Sequence, residues 1–272
     1  RLLRSFSRRL GYLHDSSEAI ELVGKWLSSA GLLGDVASLS PLHMEILVNV
    51  APVAPRRTLE AIRRAIEGPK AASFLSDFDK WSPQLVRLVR LIAYEEDLFE
   101  ECLDILASFA RAEPEGNRTS EVAPVIASLF MARLSGTHAT LEQRCGWIKR
   151  TISAQDPHLQ EIGLKALSAA LECYYFTSTY GFEFGARVRD YGAAPQGAEA
   201  MEWYRAFIEL ATSVALRTDS AGQKARDLLA NKFRTLWTVA GAFEPLEAAV
   251  DALTPAGWEG GWLSIRKTIR FD

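Results

Sequence analysis

Apolar residues recur along nearly the whole chain at i, i+3, i+4 and i+7, the spacing of one buried face on an α-helix. Ile20, Val23, Trp26 and Leu27 form such a face, with Ser16 or Ser17 as N-cap and Gly31 as the stop. Ser40-Pro41 opens a second helix carrying Leu42, Ile46, Leu47 and Val50, because proline suits a first turn. Thr58 opens LEAIRRAIEG, which Gly68-Pro69 closes, and Trp81-Ser82-Pro83 opens a helix bearing Leu85, Leu88, Val89 and Ile92. Leu98, Cys102, Ile105, Leu106 and Phe109 repeat that face one helix later. Further helices are expected at about 121–134, 140–153, 157–175, 199–217, 221–240, 245–253 and 261–269.

Strand signals are confined to the alternation Phe182-Glu183-Phe184. The expected fold is therefore all-α. Helices of ordinary length in pairs, joined by short connections, suggest an α-solenoid of stacked hairpins with irregular HEAT- or TPR-like repeats. A compact bundle is the alternative, and no fixed period marks a strict repeat family. The chain divides into helical repeats over 1–175, an insertion over 176–198 and further repeats over 199–272, read as one continuous array. A start at Arg1 suggests part of a longer chain.

The insertion is the exception to the helical pattern. The stretch YYFTSTYGFEFGARVRDYGAAP, 174–195, is too long and too rich in Tyr, Phe, Gly and Arg to be a simple turn. Aromatic and arginine side chains carry much of the energy of protein recognition, and glycine permits close backbone approach. Tyr180, Phe182, Phe184, Arg187, Arg189, Asp190 and Tyr191 are the candidate ligand contacts. The competing reading is a structural loop whose aromatics plug a gap between helices while Asp190 pairs with an arginine. Trp203 and Tyr204 are expected to pack beneath it; Trp237, Trp258 and Trp262 are expected in the core or as end caps.

Composition narrows the chemistry. A net charge of −3 argues against a mainly electrostatic nucleic-acid binder, although Arg63, Arg64, Arg87 and Arg90 could line a basic face. Three widely spaced cysteines, Cys102, Cys145 and Cys173, form no CxxC pair, so neither a disulfide framework nor a standard zinc site is expected and a reducing cytoplasm fits. No apolar run reaches the roughly 18–20 residues of a membrane span. The acidic run Glu95, Glu96, Asp97, Glu100 and Glu101 lacks the ligand spacing of a calcium loop and reads as a solvated helix start. The segment AEPEGNRTS, 112–120, is expected as a loop, with Asn117-Arg118-Thr119 only a fortuitous glycosylation sequon.

Catalysis needs a converging nucleophile, base and orienting group. Ser135-Gly136-Thr137-His138 sets a hydroxyl beside an imidazole, but the stretch also reads as a glycine-ended helix followed by a threonine cap. His138 is kept as a candidate ligand contact. An all-helical hydrolase or transferase using His138 with Asp190 or Glu183 is the minor reading. There is no GxxxxGK[ST] loop, so no nucleotide or other cofactor is expected in this segment.

Three segments together carry a resemblance: LSPLHMEILVNVAPVAPRRTLEAI (39–62), LFMARLSGTHATLEQR (129–144) and FEFGARVRDYGAAP (182–195) with EWYRAFIELA (202–211). The chain resembles the helical region downstream of the NTPase module in large bacterial STAND-type proteins, many of them antiphage defence factors. The resemblance spans most of the chain, and FGARVRDYG is its most distinctive element. It implies a non-enzymatic sensor or joint that recognises a protein ligand, often a phage protein. Alternatively, it implies an autoinhibitory scaffold docked on the parent's own NTPase module, with any oligomer forming through the parent. Gly185, Arg187, Arg189, Asp190, Tyr191 and Gly192 match the family's motif, whereas Ala193 stands where that pattern has an aromatic residue.

Overall fold

A computed structural model describes residues 2–113, 122–174 and 176–271; the expected loop at 112–120 with its sequon lies, apart from its first two residues, outside them. The described chain is all-helical. The helices are α1 (Leu2–Leu10), α2 (Ser17–Leu27), α3 (Pro41–Val50), α4 (Pro55–Glu67), α5 (Ala71–Ser76), α6 (Phe78–Ile92) and α7 (Phe99–Ala112). They continue as α8 (Val122–Ser128), α9 (Leu141–Ile152), α10 (Pro157–Ala170), α11 (Ala198–Ala215), α12 (Ser220–Thr238), α13 (Phe243–Leu253) and α14 (Glu259–Phe271). No helix among the described residues is long and apolar enough to cross a membrane.

Helix starts follow the local chemistry. Ser16 caps α2 by accepting the Ala19 N–H, and Ser40 caps α3 by accepting that of His43, with Pro41 behind it. Thr140 and Gln143 form a reciprocal capping box on α9, and Asp156 and Asp219 cap α10 and α12. Two starts differ from the sequence expectation. Helix α4 begins at Pro55, and Thr58, already inside it, is buried with its hydroxyl donating to the Ala54 carbonyl. Helix α6 begins at Phe78 and contains Pro83. The helix expected over 121–134 ends at Ser128, and the chain then runs irregularly through Leu134, whose φ is +58°.

The chain forms two compact units. The first comprises Arg1–Val125, Gly136–His138 and Tyr180–Asp190; the second comprises Ile126–Ser135, Ala139–Thr179 and Tyr191–Asp272. In the first unit α1 packs on α3, and α6 packs on both α3 and α7. Its core includes Ile46, Leu47, Leu59, Ile62, Leu85, Val89, Phe99 and Phe109, all inaccessible to solvent. Full burial of such a side chain contributes about 1.5–3 kcal/mol, so these faces dominate the stability of the unit. In the second unit α9 packs on α10, α11 on α12, and α12 on α14.

A buried arginine organises the entry to α9. Arg144 is 1% exposed; its guanidinium donates to the carbonyls of Ala139 and Leu129 and to the Ser135 hydroxyl, and lies 5.1 Å from the Trp203 ring. Burial pushes its pKa down to about 9, which leaves it charged at neutral pH. Trp203 donates to the Ala170 carbonyl and Tyr204 to that of Glu172, so both pack at the end of α10 within the second unit. Trp258 is buried, but Trp262 is 61% exposed and is no core residue.

Candidate functional site

The last turn of α6 and the residues just after it form a dock. Arg90, Leu91, Tyr94 and Glu95 fall at i, i+1, i+4 and i+5, and each of them meets the segment 180–190. Arg90 is 2% exposed, with its guanidinium 4.5 Å from the Tyr180 ring centroid and 5.5 Å from that of Phe182. Burial pushes its pKa down to about 10. The ring faces offset part of the desolvation cost, since a desolvated cation on an aromatic face gains roughly 2 kcal/mol.

Arg189 repeats the device more tightly. Its guanidinium lies 4.3 Å from the Phe184 ring and 4.4 Å from the Tyr94 ring. One nitrogen donates to the Leu91 carbonyl at 2.5 Å, and another approaches Glu95 Oε1 at 3.4 Å. Its side chain is 3% exposed, and its Nε makes no hydrogen bond. Arg187 donates to the Pro52 carbonyl at 2.6 Å and reaches the same Glu95 oxygen at 3.4 Å. The carbonyl bonds are short and the carboxylate contacts long, so the carbonyls set the geometry and Glu95 supplies mainly countercharge.

Between these arginines the backbone turns sharply. The Arg187 N–H donates to the Phe184 carbonyl at 3.2 Å, and Gly185 at the first central position has φ of +61°. A positive φ at that position alone defines a type II′ turn, which favours glycine. A Cβ on Gly185 would lie 2.7 Å from both the Gly11 carbonyl oxygen and Pro52 Cβ. Beneath the turn is a cavity of about 360 Å³ lined by Asn49, Pro52, Leu88, Leu91 and Phe184 among others.

His138 joins the same unit. Its Nε2 lies 2.9 Å from Asp190 Oδ1 and 3.1 Å from the Tyr94 hydroxyl, which itself donates to Asp190 at 3.3 Å. Its N–H donates to the Tyr94 carbonyl at 3.2 Å, and the two rings meet edge-on at 4.8 Å. Gly136, with φ of +69°, lets Phe182 approach: a Cβ there would sit 2.9 Å from the ring. The stretch 136–138 is thus a second strand of backbone held against the end of α6.

The candidate contacts therefore separate. Phe184 and Arg189 are buried anchors, Tyr180 and Phe182 cover Arg90, and Arg187 is clamped to Pro52. Glu183, Val188 and Asp190 face solvent, and Val188 is 98% exposed. Tyr191, 63% exposed, belongs to the second unit. Asp190 pairs with His138.

The sequence expectation missed Arg90, Leu91, Tyr94 and Glu95. Glu95 was visible only as part of the acidic run, three of whose five members are countercharges: Asp97 pairs with Arg56, Glu101 with Arg63, and Glu95 with Arg187 and Arg189. No group of metal-binding side chains occurs among the described residues. Of Arg63, Arg64, Arg87 and Arg90, the first three are exposed and Arg90 is buried; Arg63 pairs with Glu101 and Arg64 donates to the Leu27 carbonyl. The three cysteines are free.

A catalytic arrangement would need a nucleophile beside the His138–Asp190 pair. Thr137, the hydroxyl nearest His138 in sequence, and Ser135 are both fully buried, and Ser135 accepts from Arg144. Comparison of the chain with protein-family models, with curated proteins and with solved structures gives no match.

Proposed function

We propose that this chain is a non-enzymatic helical interaction module that recognises a protein ligand, acting as the sensor or joint of a larger STAND-type bacterial ATPase in the cytoplasm. In this reading the helices stack as an irregular α-solenoid, and the ligand is a phage protein whose binding releases the parent's nucleotide switch. The observation that carries it is the contrast along the segment 180–190. Phe184, Arg187 and Arg189 clamp the strap to the helices, while Val188 between them is 98% exposed. A β-branched residue held out on an anchored turn offers a partner an apolar contact with little ordering cost on binding.

The test is affinity capture by the immobilised chain from phage-infected and uninfected bacterial lysates, read by mass spectrometry. A single phage protein retained from infected cells only, and lost with Val188→Asp, supports recognition. Capture of nothing, together with binding to the parent's own NTPase module, supports instead an intramolecular autoinhibitory scaffold.

A further inference from the structure

The second unit contains a groove that the loop reading leaves unused. Its volume is about 810 Å³, and its walls are α12, α13 and α14. Helix α12 contributes Trp237, which meets Phe243 of α13 edge-on at 4.7 Å. Helix α13 contributes Phe243, Glu247, Val250 and Asp251, at i, i+4, i+7 and i+8, and α14 contributes Ile265 and Ile269 at i and i+4. Each wall thus presents residues at helical spacing, the ridges between which another helix packs. The apolar surface is open: Phe243 is 49% and Ile269 78% exposed, and Trp262, 61% exposed, extends the stripe on α14 by three residues from Ile265.

Charge selects the occupant. Glu247 and Asp251 lie one turn apart on α13 and are exposed. Among the described residues neither has an ion-pair partner, whereas Glu244 on the same helix is paired with Arg205. Two unpaired carboxylates beside an aromatic and aliphatic floor match a helix with an apolar face and Lys or Arg along one flank. We propose that this groove docks an amphipathic, basic-flanked helix of a partner protein.

The test uses the full chain and a fluorescein-labelled synthetic helix of about 18 residues, Leu on one face and Lys on the other, with binding read by anisotropy. A matched peptide with Glu in place of Lys is the charge control. Saturable binding of the Leu/Lys helix is expected, with the Leu/Glu helix binding at least about tenfold weaker. Ile269→Glu, at an exposed position that leaves the melting curve unchanged, is expected to weaken binding at least about tenfold, and Glu247→Gln with Asp251→Asn by a similar factor. Equal binding by the wild type and both variants would mean non-specific adhesion and overturn the proposal. So would absence of saturable binding. A wild-type dimer in sedimentation that Ile269→Glu converts to monomer would also overturn it, because a second copy would then be the occupant.

Discussion

The guanidinium of Arg189 and the ring of Phe184, five residues apart in sequence, lie 4.3 Å from each other, and the Tyr94 ring lies 4.4 Å from the same guanidinium. The strap thereby folds back on its own aromatic residue while gripping the end of α6. A planar, delocalised cation suits such a stack, and an ammonium does not. Arg189→Lys is therefore expected to lower unfolding stability by about 2 kcal/mol, from lost stacking and the lost bond to the Leu91 carbonyl. Urea denaturation of both proteins measures it; an unchanged midpoint would show that the stacking contributes nothing.

Gly185 and Gly181 provide a paired test of the turn. A Cβ at Gly185 meets backbone and proline at 2.7 Å in a left-handed conformation, whereas a Cβ at Gly181 meets nothing within 4 Å. Gly185→Ala is expected to cost more than about 1 kcal/mol, and Gly181→Ala to fall within about 0.5 kcal/mol of wild type. Equal effects in thermal melts would count against the turn as described.

The helices were legible in the sequence because their faces are long and their starts carry Ser, Thr, Asp or Pro. Ser16, Ser40, Thr140 and Asp156 all cap where local chemistry places them. The strap was visible only as composition. Whether Arg187 and Arg189 point outward or inward depends on carbonyls of Pro52 and Leu91, about a hundred residues away, and no local pattern encodes such a contact. The same holds for the acidic run. Locally it resembles a solvated helix start, and its role as countercharge appears only once α4 and the strap lie beside it. Arg144 shows the converse: a charged residue on a helix reads as surface, yet it is buried and holds the carbonyl of Leu129, in the part of the expected helix 121–134 that is irregular, and that of Ala139.

Alkaline pH should weaken the fold through Cys145, whose thiol is pushed up to about 11 by burial from an ordinary value near 9.0. The unfolded chain releases that proton first, so this contribution is fully present below about pH 9 and is lost as pH rises towards 11. Urea midpoints of the wild type should fall across that window, and Cys145→Ala should show a shallower fall. Parallel profiles would exclude the thiol as a source of the pH dependence.

His138 serves as a test of the minor, enzymatic reading. Its contacts with Asp190 and Tyr94 hold the 136–138 stretch in place, so His138→Ala is expected to cost about 1 kcal/mol in stability. Turnover of ester, amide or phosphoester substrates by the purified chain should be absent before and after the change. Measurable hydrolysis that His138→Ala removes would restore the catalytic reading.

The central claim is that an inwardly clamped strap presents Val188 for recognition. It is tested most directly by the ligand response of a parent protein carrying Val188→Asp, alongside the urea midpoint of the chain. The expected result is loss of response with an unchanged midpoint, since Val188 is 98% exposed. Constitutive activity would mark the strap as an autoinhibitory contact, and a response identical to wild type would contradict any role for the strap in recognition.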